Sequence, residues 1–493
     1  MTSPEGTEPG AHEADCIAVE SDVDRQGEAF SWRLVTALLV TSTLNPINSS
    51  LIATALVPIT HALSVSVGQT AILVSALYLA SSIAQPTAGK LAEEFGPRRV
   101  SIVGILFVLL GGVIGGVAQD IPTLTVARVL IGIGTSAGYP AAMVIIRRRA
   151  IWARRSEPPG RVLGGLTIAG TVTVALGPPI GGVLVDVLGW RSTFLVNIPI
   201  TVIALLLTMA WVPKDEPLQR RPLREIASRI DLSGIVLFGG TMSALLVFLL
   251  SLPTPHWIPL GLAIALCVVL VLWELRAATP FIDMRLLVSN LALTRTYVRG
   301  ALTLLSFYTV LYGLTQWMQA AHGLSTQEAG LVLLPMGIVA AIMSRPISAR
   351  NLVRGPLVVG AASFVLASAA VALFTSGTPV AAIVGVTLLF AITLGTTTVS
   401  NQTALYSQAP ADRVGTAAGL FRTFSYLGSI ASSTVTGIVF RHDVTDSGLH
   451  LIAAILAGVS VVVLALTVFD RTLKTSKVTP ARSVPYQPGE RER

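Results

Sequence analysis

The sequence of 493 residues is 52% hydrophobic and only 12% charged, which is too apolar for an ordinary water-soluble protein and favours a chain embedded in lipid. Its net charge of +8 comes from Lys and Arg in short loops between apolar runs, so the charge does not indicate a nucleic-acid partner. Two cysteines, Cys16 and Cys267, are too few for a disulfide framework or a thiolate metal site.

Apolar runs long enough to cross a bilayer recur along the chain. Each run is continuous and lacks the two-residue alternation of a barrel strand, so the runs predict helices. The predicted spans lie near residues 34–57, 67–88, 100–118, 122–146, 162–187, 192–212, 232–252, 256–274, 299–318, 328–345, 355–375, 380–403, 414–440 and 449–469. We therefore expect an all-α integral membrane protein with about fourteen transmembrane helices.

Lys and Arg are concentrated in alternate loops. With the amino terminus in the cytoplasm, only Arg191 and Arg441 fall in outer loops, whereas the inner loops 147–161, 213–231 and 275–298 are all basic. Positive charge marks the cytoplasmic side of a membrane protein, so both termini are expected in the cytoplasm. The first 30 residues are acidic and the first apolar run is long enough to span, so no cleavable signal peptide is expected.

The loop after the second predicted span is rich in glycine and charge, reading GKLAEEFGPRR from Gly89 to Arg99. Glycines allow a tight reversal, and Glu93 can pair with an arginine or lie at a helix start, where the helix dipole favours an anion. Taken alone, the stretch can also be an ordinary basic inner loop. The whole pattern resembles the signature loop of the major facilitator superfamily, with Glu93 in place of the commoner Asp. The resemblance implies a conformational role for Gly89, Leu91, Gly96, Arg98 and Arg99.

The fifth predicted span carries the run GPPIGG, which resembles the antiporter motif of the same superfamily. Small residues let helices approach closely and a proline kinks a span, so this point can act as a pivot or serve simple glycine packing. The resemblance implies a conformational role for Gly177, Pro178, Gly181 and Gly182. In the fourth span, Arg128 begins the stretch RVLIGIG, which is similar to another superfamily motif.

Two further stretches resemble the subfamily of fourteen-helix drug:proton antiporters. They are PFIDMRL at 280–286 and QWMQAAHGLSTQEAGLVLLPMG at 316–337. The resemblance implies the major facilitator fold, with two six-helix bundles and two extra central helices. The implied division is a disordered acidic cytoplasmic tail (1–32), an N-terminal bundle (33–213), a linker with two transmembrane helices and basic cytoplasmic loops (214–298), a C-terminal bundle (299–470) and a cytoplasmic tail (471–493).

Proton coupling calls for an ionisable group that the membrane or the protein shields from water. No acidic residue falls in the middle of a predicted span, and Asn48 stands where the subfamily commonly has an Asp in its first helix. The coupling or gating candidates are Arg128, the main charge inside the membrane, and three carboxylates at helix edges, Glu93, Asp186 and Asp231. Arg128, like Arg422, can equally be a structural residue that reaches the interface, and the carboxylates can be ordinary surface partners.

Polar and aromatic side chains, on spans that line the central cavity in this family, form the expected substrate site. Mixed apolar and polar surfaces suit amphipathic organic ligands. The set is Asn48, Ser49, Tyr78, Gln85, Tyr139, Tyr308, Tyr312, Gln316 and Trp317. Any single member can serve helix packing instead. Without a buried carboxylate to pair a cation, neutral or anionic substrates are favoured over quaternary ammonium compounds.

The resemblance implies a secondary active exporter of small amphipathic organic molecules, such as drugs or antibiotics, in the plasma membrane. Protons are the expected coupling ion, alternating access the expected mechanism, and a monomer the expected state. The sequence contains no phosphate-binding loop, catalytic constellation, cofactor fingerprint or metal cluster, so we expect neither an enzyme nor a bound cofactor. The alternatives are a facilitator or uptake carrier without proton coupling, and a sensor that transports nothing.

Overall fold

The computed structural model describes residues 29–153, 160–217, 222–252, 255–277, 280–350, 352–410 and 414–474. These residues are almost entirely helical and include no strand, which confirms the all-α prediction. Most of the two predicted tails, 1–32 and 471–493, lies outside the described residues, as does part of the loop 147–161.

The long helical segments are labelled α1 to α14 in chain order. They are α1 (Trp32–Thr54 and Leu56–Leu63), α2 (Val67–Phe95), α3 (Pro97–Val117), α4 (Ile121–Trp152), α5 (Gly160–Leu188), α6 (Ser192–Trp211), α7 (Leu232–Leu250), α8 (Trp257–Glu274), α9 (Leu291–Thr309, continued by Val310–Leu314 and Thr315–Ala320), α10 (Thr326–Ala349), α11 (Arg354–Val371), α12 (Val380–Gln408), α13 (Val414–Val439) and α14 (Asp446–Val468). Short helices at Leu223–Ile230 and Met284–Ser289 precede α7 and α9, and a 3-10 turn at Arg471–Lys474 follows α14.

Among the described residues, eleven segments are long and apolar enough to cross a membrane, or twelve when the two halves of α1, bent by 57°, count as one span. The two other long segments, α9 and α13, are more polar. α9 carries Arg295 and Arg299 near its start and contains a π-helical turn at Val310–Leu314, and α13 carries Arg422 among Ser and Thr residues. The prediction of a multi-span membrane protein is confirmed. Eleven to twelve segments meet the test of length and apolarity, and the count of fourteen stays a prediction.

Side-chain caps mark where several helices begin. Ser66 before α2 and Ser325 before α10 form capping boxes with the residue three positions on. Asp120 accepts a hydrogen bond from the backbone N–H of Thr123 at 2.7 Å at the start of α4, and this bond holds the pKa of the Asp120 carboxyl below its ordinary value. Each cap satisfies an N–H group of the first turn that has no partner within the helix.

Glycines bring the backbones of neighbouring helices close together. A Cβ on Gly104 of α3 would lie 2.7 Å from the carbonyl oxygen of Gly134 in α4, and a Cβ on Gly428 of α13 would lie 2.0 Å from that of Ala301 in α9. Only hydrogen fits at these positions. Helices α1 to α6 pack on one another in this way, as do α9 to α14.

The two groups of helices meet along two pairs, α2 with α13 and α5 with α10. We call the end with the loops before α3, α5 and α9 the basic end, and the opposite end the far end. Near the far end, a Cβ on Gly437 would lie 2.7 Å from an α2 alanine, and one on Gly182 would lie 2.6 Å from an α10 carbonyl oxygen. Toward the basic end, a Cβ on Gly164 of α5 or on Gly419 of α13 would have no described atom of a neighbouring helix within 4 Å. The two groups therefore make close glycine contacts at the far end, and these two glycines toward the basic end make none.

Candidate functional site

Four tyrosines from both groups of helices meet near the centre of the molecule, and we call Tyr78, Tyr308, Tyr312 and Tyr426 the tyrosine cluster. The ring centroids of Tyr78 and Tyr308 are 5.0 Å apart, and the rings of Tyr308 and Tyr312 stack at 5.5 Å. The Tyr312 hydroxyl donates to the Ser49 carbonyl oxygen at 2.6 Å, so the Tyr78 hydroxyl is the donor in its 2.9 Å bond to Tyr312. Rings and hydrogen bonds thus join α1 and α2 to α9 and α13.

Two amides face Tyr426 on the side of the cluster toward the basic end. The Tyr426 hydroxyl donates a short hydrogen bond to Gln85 Oε1, and Asn45 Oδ1 lies 3.4 Å from the same hydroxyl oxygen. Asn45 is oriented by Ser81 and Thr135, to which its Nδ2 donates at 3.2 and 3.0 Å. The Gln85 Nε2 is buried and has no hydrogen-bond partner among the described residues. A buried amide donor of this kind is a position where the acceptor of a ligand is favoured.

One layer closer to the basic end, Arg422 of α13 reaches across to α4. Its guanidinium carbon lies 3.6 Å from the ring centroid of Tyr139, and Tyr426 and Tyr406 also lie close to the guanidinium. No carboxylate of the described residues forms an ion pair with Arg422. A guanidinium balanced only by aromatic rings retains the capacity to bind an anion.

Arg128 is buried, with 2% exposure, between α1, α2 and α4. Its Nε donates to the Leu73 carbonyl oxygen at 3.0 Å, and its Nη1 donates to the Asn48 carbonyl oxygen at 3.1 Å. Its Nη2 has no hydrogen-bond partner among the described residues, and none of their carboxylates pairs with it. Backbone carbonyls thus replace water around this charge, which lies close to Tyr78 and Tyr312.

Asn48 and Ser49 are neighbours in α1 but face different parts of the molecule. The Asn48 Nδ2 donates to Asn197 Oδ1 of α6 at 2.7 Å, inside the first group of helices. The Ser49 hydroxyl instead lies 3.5 Å from the Tyr308 hydroxyl of α9, across the boundary between the groups. Successive residues of a helix point about 100° apart, so only one of the two can face the cluster.

Trp317 ties α9 to its own group at the far end. Its Nε1 donates to Asp446 Oδ1 at 2.8 Å, and its ring stacks on Phe374 with centroids 5.9 Å apart. The Oε1 of Gln316 is buried without a hydrogen-bond partner among the described residues. Of the predicted substrate residues, five lie together in the structure: Ser49, Tyr78, Gln85, Tyr308 and Tyr312. Tyr139 lies one layer away from them. Asn48 and Trp317 make their polar contacts elsewhere.

A narrow crevice with mostly apolar walls lies next to the cluster, between α5, α9 and α10. The lining includes Thr171, Pro178, Phe307, Leu311, Met336 and Gly337.

The signature loop turns at Gly96, whose φ of +97° lies in the region that favours glycine. The Asp215 carboxylate, from the segment after α6, accepts hydrogen bonds from the backbone N–H groups of Arg98 at 3.2 Å and Arg99 at 2.8 Å. It thereby caps α3, whose N-terminus favours an anion. A Cβ on Gly96 would lie 2.3 Å from Asp215, so the loop and its cap leave no room for a side chain. Sequence reasoning missed Asp215, since the pairing depends on a contact between distant segments.

Other predicted residues of this region lie in the last turns of α2. A Cβ on Gly89 would lie 3.7 Å from the Cβ of Pro140 in α4. Leu91 is half-buried. Glu93 is exposed, with one carboxylate oxygen 4.0 Å from an arginine of α4. Asp186 is exposed in the last turn of α5 at the far end.

The GPPIGG run of α5 lies where three helices touch. Cβ atoms on Gly177 and Gly181 would lie 1.9 and 2.5 Å from atoms of α1, and one on Gly182 would lie 2.6 Å from α10. The carbonyl oxygen of Pro178 is 2.4 Å from the Cβ position of Gly330 in α10. The run therefore sets the distance of α5 from α1 on one side and from α10 on the other.

Asp231, the third predicted edge carboxylate, is buried at 4% exposure in the turn that begins α7. It accepts hydrogen bonds from the backbone N–H of Gly234 at 3.1 Å, from Trp273 Nε1 at 2.8 Å and from the backbone N–H of Phe281 at 2.9 Å. Asp231 thereby joins the start of α7 to the end of α8 and to the segment before α9.

The family model of the Major Facilitator Superfamily matches residues 38–433 of the chain. The chain belongs to the major facilitator superfamily. As a superfamily member it is a membrane transporter and not an enzyme, as the sequence predicted. The signature loop, the GPPIGG run and Arg128 all lie within the matched range.

Curated relatives of this superfamily member cover most of its length. An uncharacterized MFS-type transporter of Bacillus subtilis, YwoD, is 33% identical over 449 residues, which are 90% of this chain and 98% of the relative. The tetracenomycin C resistance and export protein of Streptomyces glaucescens is 29% identical, over 84% of this chain and 77% of that protein. The lincomycin resistance protein of Streptomyces lincolnensis is 30% identical, over 77% of this chain and 79% of that protein.

Solved structures of peptide transporters share the fold. The crystal structure of a POT family transporter in complex with 5-aminolevulinic acid has a TM-score of 0.65, covering 88% of this chain and 96% of that one. A peptide transporter POT in complex with sulfate also has a TM-score of 0.65, covering 92% and 99%. Both are 14% identical to this chain, so the likeness concerns the fold alone.

Proposed function

We propose that this superfamily member is a secondary active exporter of small organic molecules, driven by proton antiport and working by alternating access. The tyrosine cluster carries the proposal: it is a buried polar and aromatic site between two groups of helices whose close glycine contacts lie at the far end. Rocking the groups about such a site exposes it to one side of the membrane at a time. Relatives named for tetracenomycin C export and lincomycin resistance support organic molecules as substrates.

We assign the basic end to the cytoplasm because Lys and Arg concentrate there, so both termini are cytoplasmic. The two groups correspond to six-helix bundles at 33–213 and 299–470, joined by the linker 214–298, with tails at 1–32 and 471–493. Counting α9 and α13 as spans gives fourteen. Arg299 of α9 binds Asn401 and Asp470 of its own group, and Arg422 of α13 packs on Tyr139 of α4. These charges contact protein rather than lipid, which explains how segments of lower apolarity can cross. The protein functions as a monomer in the plasma membrane.

With this orientation, the close glycine contacts between the two groups lie on the outer side of the membrane. The GPPIGG run holds the outer halves of α5 and α10 together, and the Ser75 and Ser433 hydroxyls, 2.7 Å apart, do the same for α2 and α13. The outward-facing state requires both contacts to break. We therefore assign a conformational role to the GPPIGG run, and to the signature loop with its Asp215 cap at the opposite end.

The substrate site consists of the tyrosine cluster with the polar groups around it. Stacked rings accept planar organic molecules, and the hydroxyl and amide groups fix their orientation. No carboxylate belongs to this set, and Arg422 lies at its cytoplasmic edge, so neutral and anionic substrates are favoured over quaternary ammonium compounds. The members that we propose are Asn45, Ser49, Tyr78, Gln85, Tyr139, Tyr308, Tyr312, Arg422 and Tyr426.

Proton coupling requires a group whose protonation depends on the conformation. Glu93 and Asp186 are exposed, so water reaches both without a conformational change. Arg128 joins carbonyls of α1 and α2 beneath the cluster and is assigned to gating. Asp231 is buried and lies beside a second buried carboxylate, Glu274.

Efflux measurements test the proposal. Cells deprived of their own drug pumps and expressing the chain are loaded with a neutral, an anionic or a quaternary ammonium dye, with and without an uncoupler. We expect lower accumulation of at least one dye, and loss of that effect with the uncoupler. Gly330→Leu should abolish efflux, because the Cβ position of Gly330 is 2.4 Å from the Pro178 carbonyl oxygen. Gly385→Leu should leave efflux intact, because no described neighbour lies within 4 Å of its Cβ position.

Each alternative predicts a different result. Facilitated diffusion or uptake gives equal or greater accumulation that the uncoupler leaves unchanged. A sensor gives no difference from cells without the protein for any dye. Either result, with the protein correctly inserted, overturns the exporter assignment.

A further inference from the structure

A buried cluster of charged groups lies at the basic end, where α2, α7 and α8 meet, outside the substrate site. It contains Lys90 of α2, Asp231 before α7 and Glu274 at the end of α8, and we call it the Lys90 cluster. Glu274 is 1% exposed and Asp231 is 4% exposed. Sequence reasoning did not select Glu274, because it ends an apolar run and looks like an interfacial residue.

The two carboxylates are close neighbours. Both Asp231 Oδ2 and Glu274 Oε1 lie within 2.6 Å of the position that a Cβ on Gly234 would take. The Lys90 Nζ donates to the carbonyl oxygens of Ile230 at 3.3 Å and Pro280 at 3.2 Å, which places the ammonium beside both acids. Two buried carboxylates then share one nearby ammonium. One negative charge is left over, and a proton on one carboxylate removes it.

The surroundings decide which carboxylate takes the proton. Asp231 accepts three N–H hydrogen bonds. The backbone N–H groups of Phe281 and Ile282 lie near Glu274, but neither of its carboxylate oxygens has a partner at hydrogen-bond geometry among the described residues. The charged groups that face Glu274 are Asp231 and Lys90, and Glu93 faces Lys90 from the same helix. Glu274 is therefore the carboxylate that gains most from being neutral.

We propose that Glu274 binds and releases a proton, with Asp231 and Lys90 setting its charge environment, and that this site drives the movement of α2. The inference rests on the proposed proton coupling and names its site. Binding takes one proton from water and changes the net charge of the three groups from −1 to zero, with no other bond made or broken. Because Glu274 is buried, exchange with water requires the junction of α2 with α8 to loosen.

Infrared spectroscopy of the purified full-length protein in lipid nanodiscs tests the proposal without a substrate. The difference spectrum is taken between about pH 6 and pH 9. Surface carboxylates titrate below this pH interval, so they do not contribute to it. We expect the wild type to show the C=O stretch of a protonated carboxyl group, which Glu274→Gln removes and the exposed-site control Asp186→Asn retains. In Lys90→Met the band should persist to higher pH, because the cation that favours ionisation is gone.

A wild-type spectrum without the band, or an unchanged band in Glu274→Gln, overturns the proposal. If Glu274→Gln fails to fold, as judged by thermal unfolding, Glu274→Asp and Lys90→Met replace it, and a band whose pH dependence neither variant changes overturns the proposal as well. Efflux separates this inference from the proposed function. Normal pH-driven efflux by a folded Glu274→Gln variant removes the proton site and leaves the exporter standing, whereas a normal band with no efflux of any dye removes the exporter alone.

Discussion

Gly182 of α5 faces α10 at the far end, and a methyl group there tests whether that contact sets the conformation. A Cβ on Gly182 would lie 2.6 Å from the Thr326 carbonyl oxygen and 3.1 Å from the Gln327 Cα. Nonbonded heavy atoms pack at about 3.5 Å, so α5 and α10 must separate by about 0.9 Å in the closed state. Overpacking of this kind costs about 1–3 kcal/mol. The open state carries no such cost, so Gly182→Ala should shift the equilibrium toward outward opening by about 5- to 150-fold.

Pulsed electron paramagnetic resonance in nanodiscs measures this shift directly. Cys16 and Cys267 are replaced by Ser, and spin labels are attached at Val187 and Leu373, which belong to different groups at the far end and are 70% and 80% exposed. We expect Gly182→Ala to enlarge the population with the longer label distance. Gly164→Ala on the same helix is the matched control and should leave the distances unchanged, because no described atom of a neighbour lies within 4 Å of its Cβ position.

An unchanged distance distribution in a folded Gly182→Ala variant would refute the reasoning. Equal shifts in both variants would also count against it, because the effect would then come from helix propensity rather than from contact with α10. Ala is a better helix former than Gly, and this gain is common to the two substitutions.

Three further predictions concern the remaining sites. Asp215→Ala removes the cap of α3 and should lower stability by about 1 kcal/mol, seen as a lower Tm in nanodiscs, whereas Asp186→Ala at an exposed site should leave the Tm unchanged; equal effects would show that Asp215 is no cap. Arg422→Gln should reduce efflux of an anionic dye several-fold more than efflux of its neutral ester. Arg422→Lys should be intermediate, because an ammonium lacks the planar fork of a guanidinium. Equal losses for both dyes would remove the anion-binding role. Trp317→Phe keeps the ring stack on Phe374 but loses the hydrogen bond to Asp446, so the Tm should fall by the equivalent of about 1 kcal/mol. The dye concentration for half-maximal efflux should stay constant, and a changed concentration would place Trp317 in the substrate site.

The helical architecture was predictable because hydropathy is a local property. A continuous apolar run must pair its backbone groups internally wherever it lies in lipid, so the runs at 67–88 and 380–403 fall inside α2 and α12. The bend after Thr54 in α1 and the π-helical turn at Val310–Leu314 were not predicted. Both lie where α1 and α9 touch, with Gln319 Nε2 donating to the Thr54 carbonyl oxygen at 3.3 Å, so contacts between distant segments accompany these breaks.

Which side chains share the candidate site was harder to predict, because it depends on rotation about each helix axis. A residue step of about 100° separates Ser49, which faces α9, from Asn48, which faces Asn197. Tyr426 was not predicted, because its partner Gln85 is 341 positions away in the sequence and no local pattern marks Tyr426. The motifs were easier to assign. Gly96, Gly181 and Gly182 are positions where only glycine fits, and the requirement is visible in the sequence as a glycine pattern.

The proposed proton site and the proposed substrate site lie at different depths of the same helix. Tyr78 and Lys90 are twelve residues apart on α2, or about 18 Å along its axis. Pro86 lies between them and removes one backbone hydrogen bond, so α2 can bend there while remaining continuous. In the proposed mechanism, a ligand that separates Tyr78 from Tyr312 displaces α2, and the Lys90 ammonium moves with α2 relative to Glu274 and Asp231. Because linkage is reciprocal, protonation of Glu274 must then change substrate affinity by the same factor by which substrate changes proton affinity. Antiport in this geometry needs no carboxylate inside the substrate cavity, which agrees with an asparagine at position 48 of α1.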